Sequence, residues 1–304
     1  MRVVIGGGSG MIGRHLARAL LADGWEVDIL TRDPGRTAGR LPAGARAVAW
    51  SPGGAGLEST LDGAHGVINL AGVSLGPRPW TPGRKRAILA SRLAATEAIV
   101  VALRTLSPDR RPAVLVNASG SDVYTGRDAE PADESTEPSH GFLADVCLRW
   151  EAAAREAELL GVRVALVRTS FVLARDAPVL RLLELPFRLL LGGRLGSGRQ
   201  WFSWIHIDDL VGIYRLALTD AAVAGPINAT APEPCRQADL ATALGRAVHR
   251  PAWLPAPAWA IRLALRDQAT LLIGSRRVVP ARALAAGYRF EHPAIDEALA
   301  DVLG

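Results

Sequence analysis

Val3-Val4-Ile5 is a short β-branched apolar run of the kind that forms a buried strand, and Gly6-Gly7-Gly8-Ser9-Gly10 interrupts it abruptly. Met11, Ile12, Leu16, Leu20 and Leu21 then recur at helical spacing, and Gly24 stands where a helix end favours glycine. Val27-Asp28-Ile29-Leu30 reads as a second strand. The alternation continues. Residues 47–50, 66–72, 112–117 and 162–167 read as strands, with a short helix within 51–64 and long helices at 83–105 and 142–160. The Gly/Pro-rich segment 74–83 and the acidic, Pro-containing segment 127–140 read as loops. Strands alternating with helices predict the α/β class with a doubly wound parallel sheet, not α+β.

After Phe171 the alternation weakens. Residues 178–191 form an apolar helix kinked or broken at Pro186, and 192–203 read as an exposed, flexible Gly-rich loop. Residues 204–207 suggest a short strand, Asp208 a cap for a helix over 209–219, and 225–228 a turn and strand. From 236 onward the pattern is mostly helical with Pro-rich joints. The organisation expected is a Rossmann-type domain over 1–170, to which 201–225 returns. A smaller, mostly helical lobe of 171–200 and 226–304 would hold the substrate.

The first glycine-rich turn carries chemistry. Gly7, Gly10 and Gly13 form G-x-x-G-x-x-G between strand and helix: one glycine for the tight turn, one for approach of a pyrophosphate, one for close helix packing. The helix start, with Met11 and Ile12, would turn free N–H groups towards the phosphates. At the end of the second strand an NAD site usually has an acidic residue, but here stand Thr31 and Arg32. Arg32, with Arg36 near, suits a 2′-phosphate and favours NADP(H); Asp33 could reach a 2′-hydroxyl, so NAD(H) stays open. Asn69, Leu70, Ala71 and Gly72, at the end of the fourth strand, are expected beside the dinucleotide. Arg92 could reach a phosphate from its helix, and Arg168, at the end of the sixth strand, joins the candidate cofactor set.

Ser119, after the fifth strand, is a candidate for holding a substrate oxygen and for touching the cofactor, and Tyr124 in the same stretch is a candidate proton donor. An ordinary phenol titrates near pH 10, so Tyr124 needs a nearby cation, which Arg168 or Arg199 could supply. Arg199 and Trp201 suit an anionic substrate and a stacking wall. Cys147 reads as an inert core thiol and His206 as a residue ordering the lobe hinge. No histidine has neighbours at metal-ligand spacing, so no metal is expected.

Composition narrows the classes. The 304 residues are 49% hydrophobic, enough for a sizeable core in one large domain or two joined lobes. The net charge of +5 comes almost wholly from scattered arginines, Lys85 being the lone lysine, which argues against nucleic-acid binding and favours acidic ligands. Two cysteines, Cys147 and Cys235, make no disulfide framework and fit a reducing, cytoplasmic setting. The chain opens on a structural strand, so no signal peptide is expected. The apolar stretch 253–274 is cut by Pro255, Pro257, Arg262, Arg266 and Asp267, so no membrane span is expected.

The motifs GGGSGMIG, VINLAG, SWIHIDDL and GPIN resemble the epimerase-like, extended branch of the short-chain dehydrogenases/reductases. WTPGRK, SR-x-x-x-T, VC-x-x-WE, GSGRQWFSWIHIDD and LLIGSRRVVPARALAAGYRF resemble one atypical subfamily of NAD(P)-dependent epimerase/dehydratase-like proteins with a characteristic C-terminal domain. The resemblance implies a Rossmann domain, a lobe that often holds a nucleotide-sugar, and a catalytic Ser/Thr with a Tyr-x-x-x-Lys pair. The chain departs from the last of these. Four residues after Tyr124, Tyr214 and Tyr288 come Asp128, Leu218 and His292, and alignment by Glu151 puts Leu143 and Cys147 at the dyad positions. The leading expectation is an NADP(H)-dependent oxidoreductase acting on a carbonyl/alcohol of a small anionic molecule. Epimerisation and a catalytically silent NADP(H)-binding regulator are the alternatives. Family pairing through two long helices leaves a homodimer open.

Overall fold

The β-branched N-terminal run forms β1 (Arg2–Gly6) at the centre of a parallel sheet whose other strands are β2 (Glu26–Thr31), β3 (Arg46–Ala49), β4 (Gly66–Asn69), β5 (Val114–Gly120), β7 (Arg163–Thr169) and β11 (Gly225–Ala229). The computed structural model describes residues 1–76 and 78–304, with backbone alone for 127–129; Pro77, in the expected 74–83 loop, lies outside the described residues. The strands run in the order β11-β7-β5-β4-β1-β2-β3. The order reverses between β1 and β4, the place where open α/β sheets bind ligands.

Helices cover both faces. On one lie α3 (Leu57–Leu61), α4 (Pro82–Thr105) and α5 (Phe142–Arg155), over a core that includes Val67, Ile99, Leu115 and Leu166. On the other lie α1 (Met11–Ala22) and α7 (Ile207–Thr219), over Val3, Ile5, Val116 and Val167. A short α2 (Pro34–Ala38) follows β2. Among the described residues no helix is long and apolar enough to cross a membrane.

The second half adds short pairings. β6 (Arg127–Ala132) pairs with β13 (Arg276–Val278), β8 (Phe171–Leu173) with β10 (Trp204–His206), and β9 (Trp201–Phe202) with β12 (Cys235–Arg236). Its helices are α6 (Pro178–Arg188), α8 (Gln237–Ala247), α9 (Ala258–Leu265), α10 (Thr270–Ile273), α11 (Ala281–Ala285) and α12 (Ile295–Leu303).

Several expectations are corrected. Residues 225–229, expected as a turn and strand, form β11 and extend the main sheet beside β7. Part of the 127–140 loop is strand β6, and part of the 192–203 loop is strand β9. Helix α6 is not broken at Pro186, which lies within it two residues before its end. His206, not Asp208, caps α7: its Nδ1 accepts from the Asp208 N–H at 3.3 Å.

Candidate functional site

The turn after β1 and the turn after β4 meet at the point of reversal. Gly7 has φ +76°, a left-handed conformation that favours glycine, and a Cβ there would stand 2.8 Å from the Leu70 carbonyl. A Cβ on Gly13 would stand 2.4 Å from the Cα of Gly8, so the start of α1 lies hard against the turn. No side chain caps α1, whose N-cap is Gly10. The N–H groups of Met11, Ile12 and Gly13 therefore have no intrahelical partner and suit an anion.

Asn69 does not face the crevice. It is fully buried, donating to Thr96 Oγ1 at 2.9 Å and Asn117 Oδ1 at 2.8 Å while accepting from the Ala71 N–H at 3.1 Å. It shapes the Leu70-Ala71-Gly72 turn, of which Gly72 is exposed. Arg92 is likewise structural: its Nη1 donates to the carbonyls of Val73 and Ile88, both at 3.0 Å. At the end of β2 the Thr31 hydroxyl bonds Thr37 at 2.9 Å, and Arg32 is exposed. The Asp33 carboxylate is occupied, accepting from the Arg36 N–H at 3.0 Å as the cap of α2 and lying 3.7 Å from the Arg36 guanidinium.

Below the end of β5 lies a buried polar cluster. The Ser119 hydroxyl donates to Glu151 Oε1 at 2.6 Å. Arg168 grips the same carboxylate in bidentate fashion, Nε and Nη2 each at 2.8 Å. Its Nη1 donates to Tyr124 Oη at 2.5 Å, and that hydroxyl donates to Asn228 Oδ1 at 3.2 Å. Burial opposes the Arg168 charge, but the Glu151 contacts override it and hold the guanidinium above its usual range. Arg168 thus provides the cation expected beside Tyr124 and is not free for a phosphate. Tyr124 is fully buried, and burial raises its phenol above the ordinary value against the opposing pull of Arg168. The Tyr124 hydroxyl is thus enclosed by Arg168 and Asn228. Ser119 sits at the mouth of this cluster, 6% exposed.

The dyad positions offer no substitute. Leu143 and Cys147 are both buried on the sheet-facing side of α5. Burial, with the fields of Asp122 and Glu151, pushes the Cys147 thiol up to about 12, and burial does the same for Cys235. Because a thiol raised this far holds little thiolate below pH 9, native protein at pH 8 is expected to react slowly with a disulfide reagent. Adding denaturant should expose both thiols, and a fast native reaction would contradict the burial. Lys85 is paired with Asp267 and lies over the Phe142 ring, 5.1 Å from its centroid.

Trp201 is half-buried in β9, and the guanidiniums of Arg236 and Arg277 stack on its ring with Cζ at 3.7 and 4.4 Å from the centroid. Arg199, exposed beside them, passes its carbonyl to Arg236. The expected stacking wall is therefore already covered by arginines, and the positive charge around it is larger than Arg199 alone. The C-terminal segment reaches the β5 loop through Arg276, 2.8 Å from Asp122 and 3.2 Å from Thr125 Oγ1.

Glu151, Asn228, Arg236, Arg276 and Arg277 were not among the expected site residues. Glu151 had a legible signal: it shares a helix face with the buried Leu143, Cys147 and Ala154, and a carboxylate on a core face demands a buried cation. The others are brought in by the topology of the second half.

A family model described as the NAD dependent epimerase/dehydratase family matches residues 3–229, and a domain of unknown function (DUF1731) matches 256–302. A chloroplastic epimerase family protein SDR39U1 homolog of Arabidopsis thaliana is 35% identical over all of this chain and 87% of the relative. An epimerase family protein of Mycobacterium leprae is 38% identical over 98% of this chain and 94% of its own. The crystal structure of human epimerase family protein SDR39U1 (isoform 2) with NADPH superposes with a TM-score of 0.88 at 32% identity, covering 100% of this chain and 99% of that one. The motifs, the strand order and these full-length relations agree, and the chain belongs to the NAD dependent epimerase/dehydratase family.

Proposed function

We propose that this chain binds NADP(H) at the turn after β1 and uses it to reduce or oxidise a carbonyl/alcohol carbon of a small anionic substrate. The observation that carries the cofactor choice is the end of β2: Arg32 is exposed, while the one carboxylate that could take a ribose hydroxyl, Asp33, is spent on capping α2. The NADPH in the human relative's structure supports the same choice. The cradle fits: a Cβ on Gly10 would meet only the Gly7 carbonyl, at 3.2 Å, so the uncapped helix start is open to a phosphate. When bound, the cofactor supplies or accepts hydride. The arginines at 199, 236 and 277 favour an anionic substrate.

In place of the absent dyad, Ser119 and Glu151 form a relay. In the oxidative direction a substrate hydroxyl passes its proton to Ser119 Oγ as the Ser119 proton passes to Glu151 Oε1, already 2.6 Å away. Reduction runs the same transfers backwards. Arg168 holds Glu151 in place, and Tyr124 in turn accepts from Arg168. An epimerase that oxidises and re-reduces the same carbon would use the same relay, and family membership is compatible with it. A silent NADP(H)-binding regulator is the second reading. It is favoured by the observation that Ser119, Tyr124 and Lys85 are each bonded to another residue of the chain.

Calorimetry on cofactor-free protein tests the first claim. Arg32→Ala should weaken NADPH binding by about tenfold to a hundredfold, the scale of a lost charge-assisted contact, with NADH binding unchanged. Equal loss for both, or NADH binding more tightly to wild type, sinks the assignment. For the second reading, Ser119→Ala with Tyr124→Phe would leave every cellular phenotype intact while Gly10→Val removes it.

A further inference from the structure

We propose that His206, Asp208, His292 and Asp301 form a binding site for one divalent transition-metal cation of the zinc class, which fastens the C-terminal helix α12 and the segment before it to the start of α7. One ligand atom from each of the four lies within 4.8 Å of all the others. His206 Nε2 is 3.2 Å from Asp301 Oδ2, His206 Nδ1 is 3.6 Å from Asp208 Oδ2, and His292 Nε2 is 4.0 Å from the same Asp208 oxygen. Bond lengths of about 2.0–2.2 Å to nitrogen and oxygen put tetrahedral ligand atoms roughly 3.3 Å apart, so side-chain adjustments of about an ångström close the set.

An independent observation points to a ligand. His206 is 1% exposed, and among the described residues its Nε2 makes no hydrogen bond even though the Asp301 carboxylate is within ion-pair distance. A buried polar atom left this way is costly unless something else bonds it; ligation through Nε2 puts the ring proton on Nδ1, so the cap bond from the Asp208 N–H is given up when the metal binds. The two imidazoles face each other with centroids 3.7 Å apart, so both rings converge on one point. Two neutral imidazoles and two carboxylates match the charge of a divalent cation, and the imidazoles select the zinc class over calcium or magnesium.

The site is held ready by its neighbour. Asp209, fully buried, accepts from the N–H groups of Glu291 at 2.8 Å and His292 at 3.0 Å and from the Tyr288 hydroxyl at 3.1 Å. This fixes the segment carrying His292 against the start of α7. Asp208 and Asp301 are more than half exposed, at 55% and 56% of their side chains, and give an entry path from solvent. Ligand spacing along the sequence gave no hint of this, because the fold alone brings the four residues together. The expectation of no metal is revised by this proposal.

The test uses the full chain without an affinity tag, stripped with a chelator. Titration with Co²⁺ should give the intense visible bands of a four-coordinate ion at one equivalent. Calorimetry with Zn²⁺ should give the same stoichiometry, and bound metal should raise the melting temperature. His292→Ala and the near-isosteric Asp301→Asn should each weaken binding by at least about tenfold, with circular dichroism and NADPH binding unchanged. Wild type without saturable Zn²⁺ or Co²⁺ binding, or both variants binding as wild type does, overturns the site. Because NADPH binding is read separately, failure here is distinguishable from failure of the cofactor assignment.

Discussion

Glu151→Ala is expected to lower the free energy of unfolding by about 3–5 kcal/mol, the cost of leaving one member of a buried ion pair alone. Glu151 and Arg168 are both nearly inaccessible, and the carboxylate takes both Arg168 bonds and the Ser119 hydroxyl. Removing it leaves a guanidinium bonded only to Tyr124. Urea denaturation reads the effect directly. The double substitution Glu151→Leu with Arg168→Met should lose less than the single change, since a well-packed apolar pair replaces a buried ionic one at little cost. Ser119→Ala, which removes one hydrogen bond and leaves the pair intact, should cost about 1 kcal/mol. A Glu151→Ala protein within about 1 kcal/mol of wild type would mean that the side chains rearrange and that the carboxylate does not organise the cluster.

The dinucleotide half of this molecule was legible because its signals are local. Strand, glycine turn, helix and second strand follow one another in about thirty residues, and each glycine answers to a contact a few residues away or across one strand pair. The central strands were legible for the same reason: a continuous β-branched run is buried whichever neighbours it takes. β11 was readable as a strand but not as part of the main sheet. Its pairing with β7 is made after a long excursion through α6 and α7, and a short strand carries no mark of its partner. The surroundings of the catalytic candidates were not legible, because burial decides them. Tyr124 stands close to the end of β5, as expected, yet Asn228 and Arg168 close over its hydroxyl from two other strands. Arg168 at a strand end looks the same in sequence whether it meets a phosphate or a carboxylate. Glu151, on the facing helix, decided it.

Gly7→Ala and Gly10→Ala should separate folding from cofactor binding. At Gly7 the added methyl would be held at φ +76° and driven to 2.8 Å from backbone atoms of Leu70, with no side chain able to give way. The left-handed conformation costs about 1–2 kcal/mol and the overlap about 1–3 kcal/mol more, so a clear fall in melting temperature is expected. The turn at 70–72 would be displaced with it, and NADPH binding should be lost even below the transition. Gly10 sits at φ −71°, where alanine is unstrained, and its Cβ would touch only the Gly7 carbonyl at 3.2 Å. Gly10→Ala should therefore melt within a few degrees of wild type. Its methyl stands where the first-turn N–H groups must be approached, so NADPH affinity should fall about tenfold or more, equivalent to about 1.4 kcal/mol. Calorimetry and thermal denaturation on the two variants decide the matter. If Gly10→Ala binds NADPH as wild type does, the phosphates do not pass over this turn, and the glycine spacing serves the helix packing alone.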